Sequence, residues 1–125
     1  MANSADFVVT VETHYLATQS DPAQSHYVFA YIITINNYGN TAAQLLRRHW
    51  VITDSAGHVE EVRGDGVVGE QPLIRPGEHY RYSSGSVLKT PVGSMYGSYE
   101  FVGASGAVFA VPIEPFSLNV PDLVH

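Results

Sequence analysis

The sequence contains no cysteine, and this absence excludes disulfide bonds, thiolate zinc sites and thiol catalysis. It is also poor in cations, with six lysines and arginines against twelve aspartates and glutamates, which gives a net charge of −6. Apart from the pair Arg47 and Arg48, the basic residues do not cluster. The chain therefore lacks the electrostatic footprint of a general nucleic-acid-binding protein.

No apolar run is long enough to span a membrane. The longest, from Tyr27 to Ile33, has seven residues, whereas a transmembrane helix needs roughly twenty. Residues 1–6 have neither the basic start nor the apolar stretch of a signal peptide. These features predict a soluble, cytoplasmic protein without membrane insertion.

Helical periodicity is missing too, because apolar residues at a spacing of 3.6 are nowhere sustained over three turns. Alternation with a period of two recurs instead. It predicts strands near residues 7–15, 26–36, 44–53, 58–62, 78–82, 95–102, 107–113 and 116–120. In the third strand we expect Leu46, Trp50 and Ile52 to face the core, and we expect residues 83–86 to form a turn.

Short strands separated by frequent turns predict an all-β fold, an antiparallel β-sandwich of about seven strands. Residues 1–125 are long enough for one domain with its own core. Because the chain has no cysteine pair, a fibronectin-III-like sandwich is favoured over a disulfide-bonded, immunoglobulin-like antibody domain.

The string Gly64–Gly69 matches the pattern G-x-G-x-x-G. In dinucleotide-binding proteins this pattern joins a strand to a helix whose N-terminus binds pyrophosphate. Here Pro72 and Pro76 follow, and proline disfavours helical geometry in the residue before it. The string is therefore predicted to be a loop, and the nicotinamide interpretation fails.

Two interpretations of this loop remain. Its backbone amides could form a small nest for phosphate or pyrophosphate, or its glycines could simply permit positive φ angles in a crossover. Asp65 and Glu70 would repel an anion. The candidate ligand-binding residues are Gly64, Asp65, Gly66, Val67, Val68 and Gly69.

Metal and catalytic motifs are weak. The six histidines lack the spacing of local metal motifs, and an acidic group could coordinate Mg²⁺ or could serve as a charged strand edge. No serine lies in a nucleophile elbow. We predict no resident metal, no cofactor and no enzymatic activity. The histidines are His14, His26, His49, His58, His79 and His125, and the acidic residues are Glu60, Glu61, Asp65 and Glu70.

Two proline-bounded segments, residues 72–74 and 121–124, carry apolar side chains outside the predicted strands. They either pack over the ends of the sandwich or contribute to an exposed patch for a protein partner. Open strand edges also allow a homodimer.

The sequence resembles the bacterial ApaG family over essentially its whole length. Among the matching segments are Gln44–Trp50 (QLLRRHW), Gly64–Ile74 (GDGVVGEQPLI), Thr90–Met95 (TPVGSM) and Val120–His125 (VPDLVH). The resemblance implies a fibronectin-III-like fold. It also implies a link to cobalt resistance and magnesium efflux, and protein contacts of the kind that related domains make. It supplies no catalytic residues.

We therefore expect a non-enzymatic interaction domain that acts through protein–protein contacts and is associated indirectly with Co²⁺/Mg²⁺ homeostasis. The role is indirect because the sequence offers no segment that could carry an ion across a bilayer. The alternative is a sensor that binds phosphate, pyrophosphate or a dinucleoside polyphosphate at Gly64–Gly69.

Overall fold

The structure, a computed structural model, describes residues 1–121 and is built from strands, turns and short 3₁₀ helices. Its helical turns are Ser4–Asp6, Ala17–Gln19 and Pro22–Gln24. The strands are β1 Phe7–Tyr15, β2 Tyr27–Asn37, β3 Ala43–Asp54, β4 Val59–Asp65, β5 Leu73–Ile74, β6 His79–Leu88, β7 Val92–Gly103 and β8 Val108–Asn119.

The strands form two antiparallel sheets. One has the order β1-β2-β6, and the other has the order β4-β3-β7-β8, with the short β5 pairing with β3 beside β4. The chain crosses between the sheets three times, after β2, β5 and β6, as expected of a β-sandwich with Greek-key connections. The predicted fold class is confirmed.

The core lies between the inner faces of the two sheets. Alternate residues of β2, from Phe29 to Ile35, are at most 5% exposed, because successive side chains of a strand point to opposite faces. Aromatic contacts join the sheets: the Phe7 and Phe101 ring centroids are 4.7 Å apart, and those of Tyr31 and Trp50 are 5.6 Å apart. Each buried aromatic side chain removes a large apolar area from water, which stabilises the folded state.

The prediction that Leu46 faces the core is wrong. The pairing of β3 with β7 shifts register between Leu45 and Arg47, so Leu46 is an extra residue in a β-bulge. A bulge reverses the alternation on one side of it. Leu45 is consequently fully buried, while Leu46 is only partly buried.

The predicted turn at residues 83–86 is also wrong, since these residues continue β6. They pair in unbroken register with residues 29–32 of β2. Serine and glycine have low strand propensity, but pairing with a central apolar strand overrides it.

The two segments predicted at residues 107–113 and 116–120 belong mainly to one strand, β8. Its pairing with β7 shifts register where Met95 faces Phe116 and Gly97 faces Ile113, and the shift contains Pro115. β8 is an edge strand, where proline and bulges are tolerated.

The two sheets differ in width. β1 lies against β8 on one side of the sandwich, so the extra strand of the wider sheet is on the other side. There β6 ends its sheet, and β4 extends past it without a strand opposite. This unequal width leaves part of the inner face of β4 uncovered.

The proline-bounded segment at residues 72–74 divides its side chains between the core and the surface. Ile74 is buried and Leu73 is about half exposed. Residues 122–125, which include His125 and most of the second such segment, lie outside the described residues. None of the helices in residues 1–121 has the length and hydropathy of a membrane-spanning segment.

Asn37, at the end of β2, is a fully buried polar side chain. Its Nδ2 donates to the carbonyl oxygens of Thr41 at 2.9 Å and Ile74 at 3.0 Å. Its Oδ1 accepts from the Gly39 amide at 2.9 Å. The side chain thus connects β2 to β5 and to the turn that follows β2.

Replacing this side chain, in Asn37→Ala, should lower the free energy of unfolding by about 2–4 kcal/mol, because buried backbone groups lose their partners. Asn36→Ala is the matched control, since Asn36 is less buried and makes no side-chain hydrogen bond within residues 1–121. Urea denaturation of both variants measures the difference. Equal losses in the two variants would contradict this role.

Candidate functional site

The glycine string begins inside a strand. Gly64 and Asp65 are the last two residues of β4, so the predicted loop Gly64–Gly69 is corrected to an excursion over residues 66–72. The chain leaves the edge of β3 after Asp65 and returns to the same edge at β5. No helix follows, in agreement with the sequence prediction.

The bulge in β3 anchors this excursion at both ends. The carbonyl oxygen of Leu46 accepts from the Gly66 amide at 2.7 Å and from Gln71 Nε2 at 3.0 Å. The Leu45 amide donates to the carbonyl oxygen of Pro72 at 3.0 Å. The extra residue of the bulge therefore supplies the acceptor that turns the chain out of the sheet.

The tip of the excursion is a two-residue hairpin turn. Val67 and Glu70 exchange two backbone hydrogen bonds of 2.8 and 3.0 Å, and between them Val68 and Gly69 have φ angles of 48° and 80°. Positive φ at both central residues is the pattern of a type I′ turn. Val67 is fully buried, whereas Val68 is 64% exposed. A β-branched residue at positive φ is strained.

The string offers few amides to an anion. The Gly66 and Val67 amides are already engaged in the hydrogen bonds given above. Within the described part of the chain, the Val68 and Gly69 amides have no acceptor. Gly66 itself has a φ of 62°, and a Cβ there would contact the carbonyl oxygen of Glu70, so this glycine meets a backbone requirement.

The Arg48 side chain packs against the glycine string. It shares the inward face of β3 with Trp50 and lies directly opposite Gly64, where a Cβ would be 2.8 Å from a guanidinium nitrogen. Its NH1 group donates to the carbonyl oxygens of Asp65 and Gly66, each at 2.9 Å. In the part of the chain that the structure describes, Arg48 forms no ion pair.

An opening of about 200 Å³ lies beside Arg48, at the uncovered side of the sandwich. We call it the inner pocket. An arginine, hydroxyl groups and an indole line it, and no carboxylate does. Its lining residues are Tyr31, Arg48, Trp50, Val67, Val68, Tyr82 and Ser84.

Tyr82, in the wall of the inner pocket, shares a buried hydrogen bond with Tyr99 of the opposite sheet, hydroxyl to hydroxyl. Burial raises the pKa of both phenols well above their ordinary value, because a phenolate would lose its hydration. Both groups therefore remain protonated at neutral pH, and the wall of the pocket stays uncharged at this point.

A wider groove of about 550 Å³ lies on the outer face of the sheet that contains β3 and β7. Arg48 lines this groove as well as the inner pocket, and two other lining residues contact carboxylates: Arg47 NH1 is 2.6 Å from Glu100 Oε1, and His49 Nε2 is 3.1 Å from Glu61 Oε1. Exposed pairs of this kind contribute little to stability. They also offset the attraction of the groove for an anion.

The six candidate ligand residues do not share one site. Gly64 and Asp65 line the outer groove, Val67 and Val68 line the inner pocket, and Gly66 and Gly69 line neither. Arg48 lines the inner pocket, although the motifs of the sequence did not predict it as a pocket residue. Its position in the strand could have indicated this. Residues two apart in a strand point to the same face, so Arg48 lies on the inward face with Trp50.

The histidines and the acidic group form no metal-binding cluster in the described part of the chain. Within residues 1–121, no three histidine or acidic side chains are close enough to hold a metal ion. Three histidines instead pair singly with carboxylates: His14 with Glu12, His49 with Glu61, and His58 with Asp54.

Fold and site together define a fibronectin-III-like sandwich with a glycine excursion and a small pocket beneath it. The family model of the ApaG domain, which describes its sequences, matches residues 17–103 of this chain. Protein ApaG from Azoarcus sp. is 54% identical over 100% of both chains, and Protein ApaG from Acidithiobacillus ferrooxidans is 56% identical over 94% of this chain and 92% of its own. The chain belongs to the ApaG family.

Solved structures agree with this assignment. A crystal structure from Bordetella pertussis is 51% identical, with a TM-score of 0.92, and the match covers 94% of this chain and 96% of that one. The names of the curated relatives state no enzymatic activity.

The strain at Val68 yields a test of the turn. Val68→Asn should raise the free energy of unfolding by about 1 kcal/mol, because asparagine tolerates positive φ and Asn-Gly is the preferred type I′ pair. Thermal denaturation measures the change. Val59→Asn is the control, because Val59 is equally exposed but lies in a strand, where asparagine is disfavoured. A Val68→Asn variant less stable than the wild type would refute the turn assignment.

Proposed function

We propose that this chain is a non-enzymatic protein-interaction domain that binds an extended segment of a partner protein along the free edge of β6. The observation that carries the proposal is the character of this edge. From Ser83 to Leu88 it contains no charged residue and no proline, and its pairing with β2 is unbroken. A flat, uncharged edge is a template for another strand.

The other edge strands carry features that oppose such pairing. β4 contains Glu60, Glu61 and Arg63, and β1 contains Glu12. β8 contains two prolines and a register shift. Charges, prolines and bulges are the usual means by which proteins block edge-to-edge association. β6 is therefore the edge best suited to strand addition.

The unequal width of the sheets supports the same edge. A strand added beside β6 would make the narrow sheet four strands wide, and the added strand would lie opposite β4. Its inward side chains would then cover the inner face of β4, where Val62 is only partly buried. Strand addition would thus combine main-chain hydrogen bonds with burial of apolar area.

We infer that the added strand comes from a different protein. Each copy of this chain carries a net charge of −6, so two copies repel each other. The edge itself has no carboxylate, whereas Arg81 and Lys89 flank it. This charge distribution favours a partner segment with acidic residues at its ends.

The link to Co²⁺ and Mg²⁺ is part of this proposal and acts through the partner. It is supported by membership of the ApaG family and by the implied association of that family with cobalt resistance and magnesium efflux. The domain would alter ion homeostasis by binding a protein that handles these ions.

A double substitution on the edge, Ser83→Lys with Val87→Lys, should weaken partner binding, because lysine on an edge strand opposes pairing. Both residues are exposed. The matched control is Val8→Lys with Thr10→Lys, which adds the same charge to exposed positions of β1, the other edge of that sheet. We expect the edge variant to capture about tenfold less of its partner from a bacterial lysate than the wild type or the control captures.

Capture that is unchanged in the edge variant would refute the proposal, as would a purified captured protein that binds both variants equally in calorimetry. Sedimentation tests the alternative occupant: a dimer formed by the wild type but not by the edge variant would assign the edge to a second copy.

In cells lacking the gene, the control should restore growth in Co²⁺ and the edge variant should not. Equal restoration by the two variants would show that growth in Co²⁺ does not depend on the β6 edge.

The alternative, a sensor for phosphate, pyrophosphate or a dinucleoside polyphosphate at Gly64–Gly69, has less support from the geometry. Two amides of the string are engaged within the protein. The pocket beside it, at about 200 Å³, is smaller than the sites of roughly 300–1,000 Å³ that enclose larger ligands.

A further inference from the structure

Several side chains that can donate hydrogen bonds line the inner pocket. The side chains of Tyr31, Trp50 and Ser84 make no hydrogen bond within residues 1–121. Among residues 1–121, Thr41 Oγ1 is the only fully buried side-chain polar atom without a partner, so the polar atoms of these three side chains are not fully buried. Solvent therefore reaches these three donors from the pocket that they line.

Arg48 adds a positive charge to this set. Its NH1 group is held by two backbone carbonyl oxygens, while its Nε and NH2 groups have no partner in the described residues. Those two carbonyl contacts fix the guanidinium in place. A fixed guanidinium loses little freedom when it binds a carboxylate or phosphate, and the resulting bonds are charge-assisted.

The absence of acid from the pocket lining is notable in a chain with twice as many acidic as basic residues. The outer groove contains Asp65 and Glu100, and the neighbouring opening at the other end of β6 contains Asp54 and Glu60. Among these three openings, the inner pocket alone combines an arginine with a lining free of carboxylates. Arg48 would attract an anion bound there, and no carboxylate of the lining would repel it.

We propose that the inner pocket binds a small oxyanion, a phosphate or carboxylate group, with Arg48 as the cation and Tyr31, Trp50 and Ser84 as additional donors. This site differs from the amides of the glycine string. The string contributes Val67 and Val68 as apolar walls, and its Asp65 and Gly66 carbonyl groups position Arg48. The inference does not depend on strand addition at β6.

The volume of the pocket sets the size of the ligand. About 200 Å³ equals roughly seven waters at their share of liquid volume. This is enough for a single phosphate or carboxylate group. A larger molecule would have to leave its remainder in solvent, past the exposed Val68.

The sole tryptophan of the chain provides the reporter. We would titrate the ¹⁵N-labelled protein with sodium phosphate and, separately, with sodium acetate, using sodium chloride at matched ionic strength as the control. We expect a saturable shift of the Trp50 indole N–H signal with at least one of the two anions and not with chloride. Response to phosphate alone or acetate alone identifies which oxyanion the site prefers.

Variants assign the binding to residues. Arg48→Gln should weaken it about tenfold or more, because a charge-assisted bond is lost. Tyr31→Phe and Ser84→Ala should each weaken it about two- to tenfold, as expected for one neutral hydrogen bond. These two variants decide the test if Arg48→Gln fails to fold. Arg63→Gln, on the outer face of β4, should leave binding unchanged.

Three results would overturn the inference. The first is the absence of a saturable shift at Trp50 up to tens of millimolar of either anion. The second is an equal response to chloride, which would indicate a general ionic effect. The third is a set of shifts confined to the Val68 and Gly69 amides and unaffected by Tyr31→Phe and Ser84→Ala, which would return the site to the glycine string.

Discussion

The two sheets of this sandwich are not equally wide, and the other features of interest depend on that mismatch. A sheet face buries its apolar residues only where another layer covers it. Because β1 lies against β8, the uncovered face is that of β4, beyond the edge of β6. The inner pocket, the exposed edge of β6 and the glycine excursion all lie on this side.

Alternating apolar residues predicted the sandwich because one face of each strand must be buried. The failures occurred where a tertiary partner decides the outcome. Leu46 and Leu45 are identical residues, and only the bulge against β7 determines which one faces the core. Residues 83–86 have the composition of a turn, but their pairing with β2 makes them strand. Neither effect is present in the local sequence.

The candidate site was harder to predict for the same reason. The glycine pattern was visible, but its geometry comes from the carbonyl oxygen of Leu46 and the guanidinium of Arg48, which belong to a different strand. Gly64 is needed for the close approach of an arginine. Val68 occupies a backbone conformation that its side chain disfavours, which no propensity would suggest. In this structure, two carbonyl oxygens of the glycine string accept hydrogen bonds from Arg48.

Under the strand addition proposed above, the prolines of β8 limit how many segments can pair with the domain. Pro112, Pro115 and the register shift close one side of the sandwich to strand pairing, while the opposite side remains open. A single partner segment would pair with the edge of β6, and this chain would then offer no other edge as free of charges, prolines and bulges. Assembly would then stop at a complex of one domain with one partner. The same asymmetry protects a sheet protein with an exposed strand from growing into a fibre.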